Sequence, residues 1–334
     1  MSQGRAVADR ARPHWRPTQE HIVALTACVL FVVFAGLAPG FFSVSNVVSL
    51  MRSVSILGVL ALAMSIVVIG RGIDLAIVPT MVISVAFLIT LYAGGMPAYL
   101  AILIGLGIAA SIGLIQGWLI AYADVPAIFT TLAMGVTVYG FGLFFLVSKD
   151  VNYLPKEAVL FREVGSTQIA GVPSLVLIFG LCALLFHLFL KFTPWGRFIY
   201  ALGDNPDAAR LAGISVRHIT VLQYVLASVT ACGAGLMTAA SVSSMSMRIV
   251  NSTMIYDILL VVVIGGIGLT GGKGGIRNVI AGTVLIGILI NGMTLMDIAY
   301  TSQNIVKGCV LLLAIIIDTL LNPRDEQTAQ QGDI

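Results

Sequence analysis

Long apolar stretches separated by short polar breaks dominate this chain of 334 residues. A helix needs about 20 mainly apolar residues to cross the hydrocarbon core of a bilayer, and several stretches, such as Ile22 to Ala38, are of about this length. Only 10% of the residues are charged, whereas a soluble domain usually has about 25%. A membrane β-barrel would instead show segments of about ten residues with alternating polarity. The sequence therefore predicts an all-α polytopic membrane protein.

Turn-forming and helix-breaking residues such as Pro39-Gly40, Gly94-Gly95 and Pro126 divide the apolar part of the chain. The first apolar stretch is longer than the core of a cleaved signal peptide, about 7–15 residues, so we expect it to remain as a helix. The ten predicted membrane segments are residues 21–38, 47–69, 74–93, 97–122, 126–147, 173–191, 219–242, 254–270, 276–296 and 302–321. They form one predicted transmembrane domain, 21–321, with a polar loop at 192–218.

The distribution of Lys and Arg predicts how these segments are oriented. Cytoplasmic loops carry an excess of basic residues, and the bias is largest when the N-terminus lies inside. The inner side then holds Arg5, Arg10, Arg12, Arg16, Arg71, Lys191, Arg197, Arg210, Arg217, Lys273, Arg277 and Arg324, and the outer side holds Arg52, Lys149, Lys156, Arg162, Arg248 and Lys307. An even number of crossings makes both predicted tails, 1–20 and 322–334, cytoplasmic.

Small residues recur every four positions along the fourth segment. They are Gly105, Ala109, Gly113, Gly117 and Ala121. Such a stripe lets two helix backbones approach closely. We therefore expect it to be a packing surface, in preference to the wall of a pore.

The polar loop contains a short helix with clear end signals. Asn205 is a good N-cap, Pro206 suits the first helical position, and Asp207 favours the positive end of the helix dipole. Gly213 supplies a C-terminal stop. The predicted helix, 206–212, is too short to be stable alone in water.

One face of this short helix is apolar, because Ala208, Leu211 and Ala212 are spaced at i, i+3 and i+4. Such a helix with a flanking Arg suits a groove on another protein. The alternative is a solvated loop helix without a partner. The predicted docking residues are Asn205, Pro206, Asp207, Ala208, Ala209, Arg210, Leu211, Ala212 and Gly213.

Five further polar residues are candidates for a translocation path or a gate. Arg71 and Asp74 lie at a membrane boundary, where burying either alone would be expensive, so we favour a structural ion pair between them. Asp257 either faces a polar cavity or caps the eighth segment. Gln116 and Asn291 lie within apolar helices, where interhelical hydrogen bonds are the default explanation.

The glycine-rich stretch 265–275 is not a phosphate-binding loop. The pattern G-x-x-x-x-G-K-[ST] would need Gly at position 267 and Ser or Thr at position 274, but the chain has Ile267 and Gly274. We expect a tight turn between two helices and no nucleotide hydrolysis by this chain. Its Cys and His residues form no catalytic or metal-ligand pattern, so no catalytic residue, metal or cofactor is predicted. The net charge of +3 is spread over several loops and does not indicate nucleic-acid binding.

Several short motifs occur together and in order. They are Gly72-Ile73-Asp74-Leu75, Gly196-Arg197, Tyr200-Ala201-Leu202-Gly203, Asn205, Ala209-Arg210-Leu211-Ala212-Gly213-Ile214, Gly265-Gly266 and Gly271-Gly272-Lys273-Gly274. With them the chain resembles, over roughly residues 40 to 320, the permease subunits of bacterial ABC importers of the ribose and autoinducer-2 class. Two positions depart from the family pattern: Ala76 to Pro79 replace Ser-Val-Gly-Ser, and Ile255 replaces a common acidic residue.

The resemblance implies a subunit of about ten helices in the lipid of the bacterial inner membrane. It would pair with a second permease subunit, identical or paralogous, above two cytoplasmic ATPases and below a periplasmic sugar-binding protein. The helix 206–212 would couple the ATPase to the membrane domain. The substrate would be a monosaccharide: a pentose, a hexose, a related polyol or an autoinducer-2-like sugar.

The alternative is an ion-gradient-driven secondary transporter of a small polar solute. Such a protein would carry acidic residues inside the membrane as coupling sites. In this sequence the acidic residues fall mostly at the predicted helix ends. A membrane enzyme is less favoured still, because no catalytic constellation is present.

Overall fold

The computed structural model describes residues 19–147 and 149–321. Residues 1–18 and 322–334 lie outside this range, and with them almost all of the two predicted tails. The helices are α1 (Gln19–Leu37), α2 (Val44–Ile69), α3 (Ile77–Ala93), α4 (Ala98–Tyr122), α5 (Ala127–Phe141), α6 (Val159–Ser166), α7 (Ser174–Phe192), α8 (Pro194–Asp204), α9 (Pro206–Leu211), α10 (Val216–Val242), α11 (Met254–Gly265), α12 (Ile276–Leu295) and α13 (Tyr300–Leu321). The strands are β1 (Val151–Tyr153), β2 (Gln168–Ile169), β3 (Val172–Pro173) and β4 (Ser244–Ser246), and a π-helical turn (Gly142–Leu146) and a 3₁₀ turn (Met247–Asn251) follow α5 and β4.

The long helices lie where the apolar segments are predicted. Among the described residues, seven helices are long and apolar enough to cross a membrane, and α3, α11 and the part of α13 up to Ile316 are shorter apolar helices. The eighth predicted segment, 254–270, is too long by several residues. Its helix ends at Gly265 because Gly266 takes a left-handed conformation with φ of 96°, which a glycine adopts at little cost.

Helix α2 forms the centre of the molecule. Every residue from Leu60 to Ile69 is at most 1% exposed, so this part of the helix, apolar except for Ser65, is buried on all sides, as expected for a core helix. Helices α7, α10, α11 and α12 pack around it. A change in the position of the C-terminal end of α2 therefore reaches most of the bundle.

The predicted stripe of small residues is confirmed as a packing surface. All five of its members are buried on α4, and its central part faces α10. A Cβ atom on Gly113 would lie 2.6 Å from the carbonyl oxygen of Tyr224, and one on Gly117 would lie 2.9 Å from Cα of Val221. The two backbones approach so closely because these positions have no side chain.

Two short two-stranded ribbons were not predicted. Strand β1 pairs antiparallel with β4, and β2 pairs antiparallel with β3. Strands of two or three residues are too short to show an alternating pattern, and β1 and β4 meet only because the bundle brings them together. The β4 end of α10 is opposite to the end at which α9 precedes α10, and a helix of 27 residues separates these ends by about 40 Å.

A pair of asparagines joins α2 to α12. Asn46 Nδ2 donates to Asn291 Oδ1 at 3.1 Å, and Asn291 Nδ2 donates to Asn46 Oδ1 at 3.0 Å. This is the interhelical hydrogen bonding expected for a polar residue within an apolar helix. The contact assigns Asn291 a role in holding two helices together.

We predict that Asn46→Ala and Asn291→Ala are not additive, because each removes the same pair of hydrogen bonds. Their coupling energy should be about 0.6–1.7 kcal/mol, the range for such bonds in membranes. Thermal unfolding of both single variants and the double variant in detergent measures it. Purely additive losses, or a changed KM for transport in Asn291→Ala, would contradict this structural assignment.

Candidate functional site

The polar loop contains a second helix, α8, that was not predicted. Thr193 caps its start by accepting a hydrogen bond from the backbone N–H of Gly196 at 3.1 Å, and Pro194 occupies its first position. Its buried residues are Gly196, Ile199, Leu202 and Gly203. The Thr-Pro start and this spacing are a helix signal that could have been found in the sequence.

The predicted start of the short helix is confirmed. Asn205 is extended, with φ of −152°, and its Oδ1 accepts from the backbone N–H groups of Asp207 and Ala208 at 3.0 Å each. Pro206 is the first residue of α9. Asn205 also ends α8, because its own N–H donates to the carbonyl of Ala201 at 3.1 Å. One residue therefore sets the angle between α8 and α9.

The predicted end of α9 is confirmed to within one residue. The helix runs to Leu211, and Ala212 caps it. The N–H of Gly213 donates to the carbonyl of Arg210 at 2.9 Å, and the N–H of Ile214 donates to that of Ala209 at 3.0 Å. This is the Schellman motif, which needs a left-handed residue after the cap, and Gly213 has φ of 79°.

The apolar face of α9 has no cover from the described part of the chain. Ala208, Leu211 and Ala212 are all exposed, and Leu211 is 90% exposed. Ala209 faces the opposite way and is buried. Arg210 forms an exposed pair with Asp207 at 3.9 Å, a contact that contributes little stability at such exposure. The helix is thus fixed at both ends and projects a single large apolar side chain.

Helix α8 is seated directly on the end of α2. A Cβ atom on Gly203 would lie 1.8 Å from the carbonyl oxygen of Ile69 and 2.5 Å from the backbone nitrogen of Gly272. The N–H of Gly272 donates to that same Ile69 carbonyl at 2.8 Å. Three backbone segments therefore meet at one point, and no side chain fits between them.

The glycine-rich turn between α11 and α12 forms the third side of this junction. Gly271, Gly272 and Gly274 have φ of 82°, 71° and 99°, a region that side chains disfavour. The hydroxyl of Tyr200 on α8 donates to the carbonyl of Gly274 at 2.8 Å. The predicted turn is confirmed, and its glycines serve close backbone packing.

The predicted ion pair between Arg71 and Asp74 is wrong. Asp74 is completely buried; its Oδ1 accepts from the N–H of Ala76 and its Oδ2 from Nε2 of Gln116, both at 3.0 Å. The carboxylate turns inward because the start of α3 and the amide of α4 satisfy it there. Arg71 stays partly exposed in a left-handed conformation with φ of 68°.

The surroundings of Asp74 are polar and contain an unused acceptor. Gln116 Nε2 also lies 3.5 Å from Oγ of Ser228. Its Oε1, and Oε1 of Gln223, are buried and have no hydrogen-bond partner among the described residues. Buried acceptors are normally satisfied by protein or water. This cluster, which we call the central polar cluster (Asp74, Gln116, Ser228), can therefore accept hydrogen bonds from water or from a hydroxyl-bearing solute. The Gln223 side chain lies against Gly70.

Asp257 lies in the first turn of α11 and forms a buried ion pair. It pairs with Lys307 of α13 at 2.8 Å, and both side chains are at most 15% exposed. Lys307 Nζ also donates to Oγ1 of Thr253 at 3.0 Å, which contacts the hydroxyl of Tyr300 at 2.9 Å. On sequence alone, Lys307 counts toward the outer side, within the tenth predicted segment, and is given no partner. The missed signal is a lysine inside an apolar run, which requires a partner.

The comparisons with known proteins agree with one another. Residues 46–315 match the family described as the permease component of branched-chain amino acid transport systems. The ribose import permease protein RbsC of Escherichia coli (strain K12) is 32% identical over 305 residues, which cover 91% of this chain and 94% of that protein. The fructose import permease protein FrcC of Rhizobium meliloti is 30% identical over 317 residues, 91% of this chain and 87% of that protein. No solved structure matches.

The family match over most of the chain and the sequence identities with these relatives together establish the family of this chain. Its members are permease components of ABC transporters and are not themselves the catalytic subunit. The apolar helices described above agree with a multi-pass protein of the bacterial inner membrane. This chain therefore belongs to the permease subunits of sugar-importing ABC transporters.

Proposed function

We propose that this permease carries a monosaccharide across the inner membrane and that a separate cytoplasmic ATPase drives it by docking on α9. The observation that carries the proposal is the uncovered apolar face of a helix that is capped at both ends. Burying one Leu side chain such as Leu211 contributes about 1.5–3 kcal/mol. A helix already fixed by its caps loses little conformational freedom on binding, which favours association.

The path from the ATPase to the membrane domain is short. Asn205 links α9 to α8, and Gly203 seats α8 against the carbonyl of Ile69. Asp74 of the central polar cluster follows Ile69 by five residues in the sequence. A movement of α9 thus shifts the end of α2 and, with it, the cluster. Packed interiors transmit such movements because they are nearly incompressible.

Docking of a cytoplasmic ATPase on α9 implies a topology for the chain. The end that bears α8 and α9 is cytoplasmic, and the seven long and three shorter apolar helices cross the membrane with both termini inside. The ribbons β1–β4 and β2–β3 then lie on the periplasmic side, where a sugar-binding protein delivers the substrate. A second permease subunit, identical or paralogous, completes the translocation path.

The names of the relatives and the chemistry of the central polar cluster support the proposed substrate class. The relatives are named as importers of ribose and fructose, and one is named as a xylose transport permease. Sugar hydroxyls donate hydrogen bonds to acceptors such as the free Oε1 atom of Gln116. We place the path at the central polar cluster, with Arg71 at its cytoplasmic end and the Asp257–Lys307 pair near its periplasmic end.

A second candidate function rests on the burial of Asp74. A carboxylate inside a membrane protein can act as an ion-coupling site, which would suit an ion-gradient-driven transporter of a small polar solute. Transport into vesicles after ATP depletion separates the two. Uptake that stops without ATP supports the ABC mechanism, whereas uptake that persists and collapses with an uncoupler supports the alternative.

We predict that Leu211→Ala weakens binding of the ATPase by between about tenfold and a hundredfold, the equivalent of losing most of a buried Leu contact. Alanine preserves the helix, so the loss measures the apolar contact. Leu211→Met is the matched control and should retain binding, because it keeps the volume and apolar character. Co-purification of the ATPase and sugar uptake are the measurements. Unchanged binding in Leu211→Ala would disprove docking on this face.

We predict that Asn205→Ala weakens the same binding about fivefold, because loss of an N-cap costs about 1 kcal/mol of helix stability. Asn205→Asp should bind as the parent does, since its carboxylate also accepts from the first turn. Titration of the ATPase against the permease in detergent gives the ratio. Equal losses in the two variants would mean that the cap is not what matters.

We predict that Gly203→Ala separates docking from transport. The added methyl group would overlap the carbonyl of Ile69, so α8 must move away from α2 while α9 keeps its exposed face. ATPase co-purification should persist while uptake falls at least about tenfold. Gly180→Ala on α7, where a Cβ meets nothing within 4 Å, is the control. Normal uptake in Gly203→Ala would remove the junction from the coupling path.

A further inference from the structure

Two cavities of opposite character meet at Arg277, at the start of α12. One is an apolar groove of about 850 Å³ between α1, α2 and α12, and Arg277 is the single charged residue among the described residues that line it. The other is a polar cavity of about 440 Å³ whose lining also includes Arg277. The two cavities lie one after the other along α1. Glu20 lines the polar cavity, and Ala24, one turn later, lines the groove.

The groove has the depth of one membrane leaflet. It runs along α12 from Arg277 to Ile288, a rise of about 16 Å at 1.5 Å per residue. Half of a hydrocarbon core is about 15 Å. Cys28 and Val32 on α1 are exposed within it, so the groove is open at the surface of the chain.

The polar cavity lies where a lipid headgroup would be. Lys191 lies in the last turn of α7 and Arg277 in the first turn of α12, both at the end of the molecule that bears α8 and α9. Lys191 and Arg277 are both exposed, and the remaining titratable groups of the lining are Glu20, His187 and Tyr200. The formal charges of the described lining residues, with histidine counted as neutral, sum to one positive unit, which complements a single phosphodiester.

We infer that these two cavities, which share Arg277, together bind one anionic phospholipid, with an acyl chain in the groove and the phosphate at Arg277 and Lys191. Basic pockets between membrane helices at the cytoplasmic boundary suit such headgroups. The lipid contacts α1, α7 and α12, and Tyr200 and Gly274 line the same cavity. Its headgroup therefore sits against the junction of α8 with the glycine-rich turn.

A second copy of this chain is a less suitable occupant of the groove. The charge at one end and the single-leaflet depth match a molecule with one charged end and an apolar tail. A helix from another subunit would cross the whole bilayer and would place apolar residues next to Arg277. The two occupants give different results in the experiment below.

The test is native mass spectrometry of the purified full-length chain titrated with phosphatidylglycerol or phosphatidylethanolamine. Phosphatidylglycerol should be retained more strongly, and Arg277→Gln should weaken its retention about fivefold, the effect of about one basic residue at a membrane surface. Arg277→Lys should restore most of it. Arg197→Gln is the matched control, because Arg197 is exposed on α8 and lines neither cavity.

Two further measurements identify which part of the lipid is recognised. Inorganic phosphate at millimolar concentration should not compete, and Val284→Trp, which fills the groove, should reduce retention without touching the basic residues. Equal retention of the two lipids, or equal losses in Arg277→Gln and Arg197→Gln, would overturn the inference. So would a dimer in which Cys28 is protected from a maleimide while no lipid is retained, because a second copy would then fill the groove.

Discussion

The buried end of α2 is the constraint on which the rest of this structure depends. A helix that stops inside a protein leaves carbonyl groups without intrahelical partners, and such groups must be paired when water is absent. The carbonyl of Ile69 is satisfied by the N–H of Gly272, 2.8 Å away, and Gly203 closes over both. The glycine-rich turn and α8 must therefore lie together at this point. The same contact places α9, the proposed docking helix, one short helix away from the membrane core.

Other buried polar groups must also be paired, and two of the pairs join one helix to another. The carboxylate of Asp74 is held by the start of α3 and by Gln116 of α4, and Asp257 of α11 is held by Lys307 of α13. Removing one member of a buried pair costs more than the pair contributes. These contacts therefore specify which helices are neighbours more than they add to overall stability. The unused acceptor of the central polar cluster, Oε1 of Gln116, is the exception, and it lies where the proposed path runs.

Much of the fold and part of the site could be predicted because their signals are local. Asn205, Pro206 and Gly213 define α9 through rules that act within one helical turn, and the stripe through Gly113 follows from a spacing of four. The Thr193-Pro194 start of α8 was also readable and was missed. The Arg71–Asp74 pair was predicted from proximity in sequence, but Asp74 found its partner 42 residues away. Sequence spacing cannot reveal which distant amide will reach a buried carboxylate.

By itself, the sequence determined the class of the protein, the positions of its apolar helices and the capped helix in its longest polar loop. These follow from hydrophobic length and from hydrogen bonds between near neighbours. Only the tertiary structure decided that α8 sits on the end of α2, that Asn46 meets Asn291 across 245 residues, and that Lys307 pairs with Asp257. The reason is physical. A buried polar or backbone group accepts any partner of suitable geometry, and the packing of the helices decides which one comes within reach.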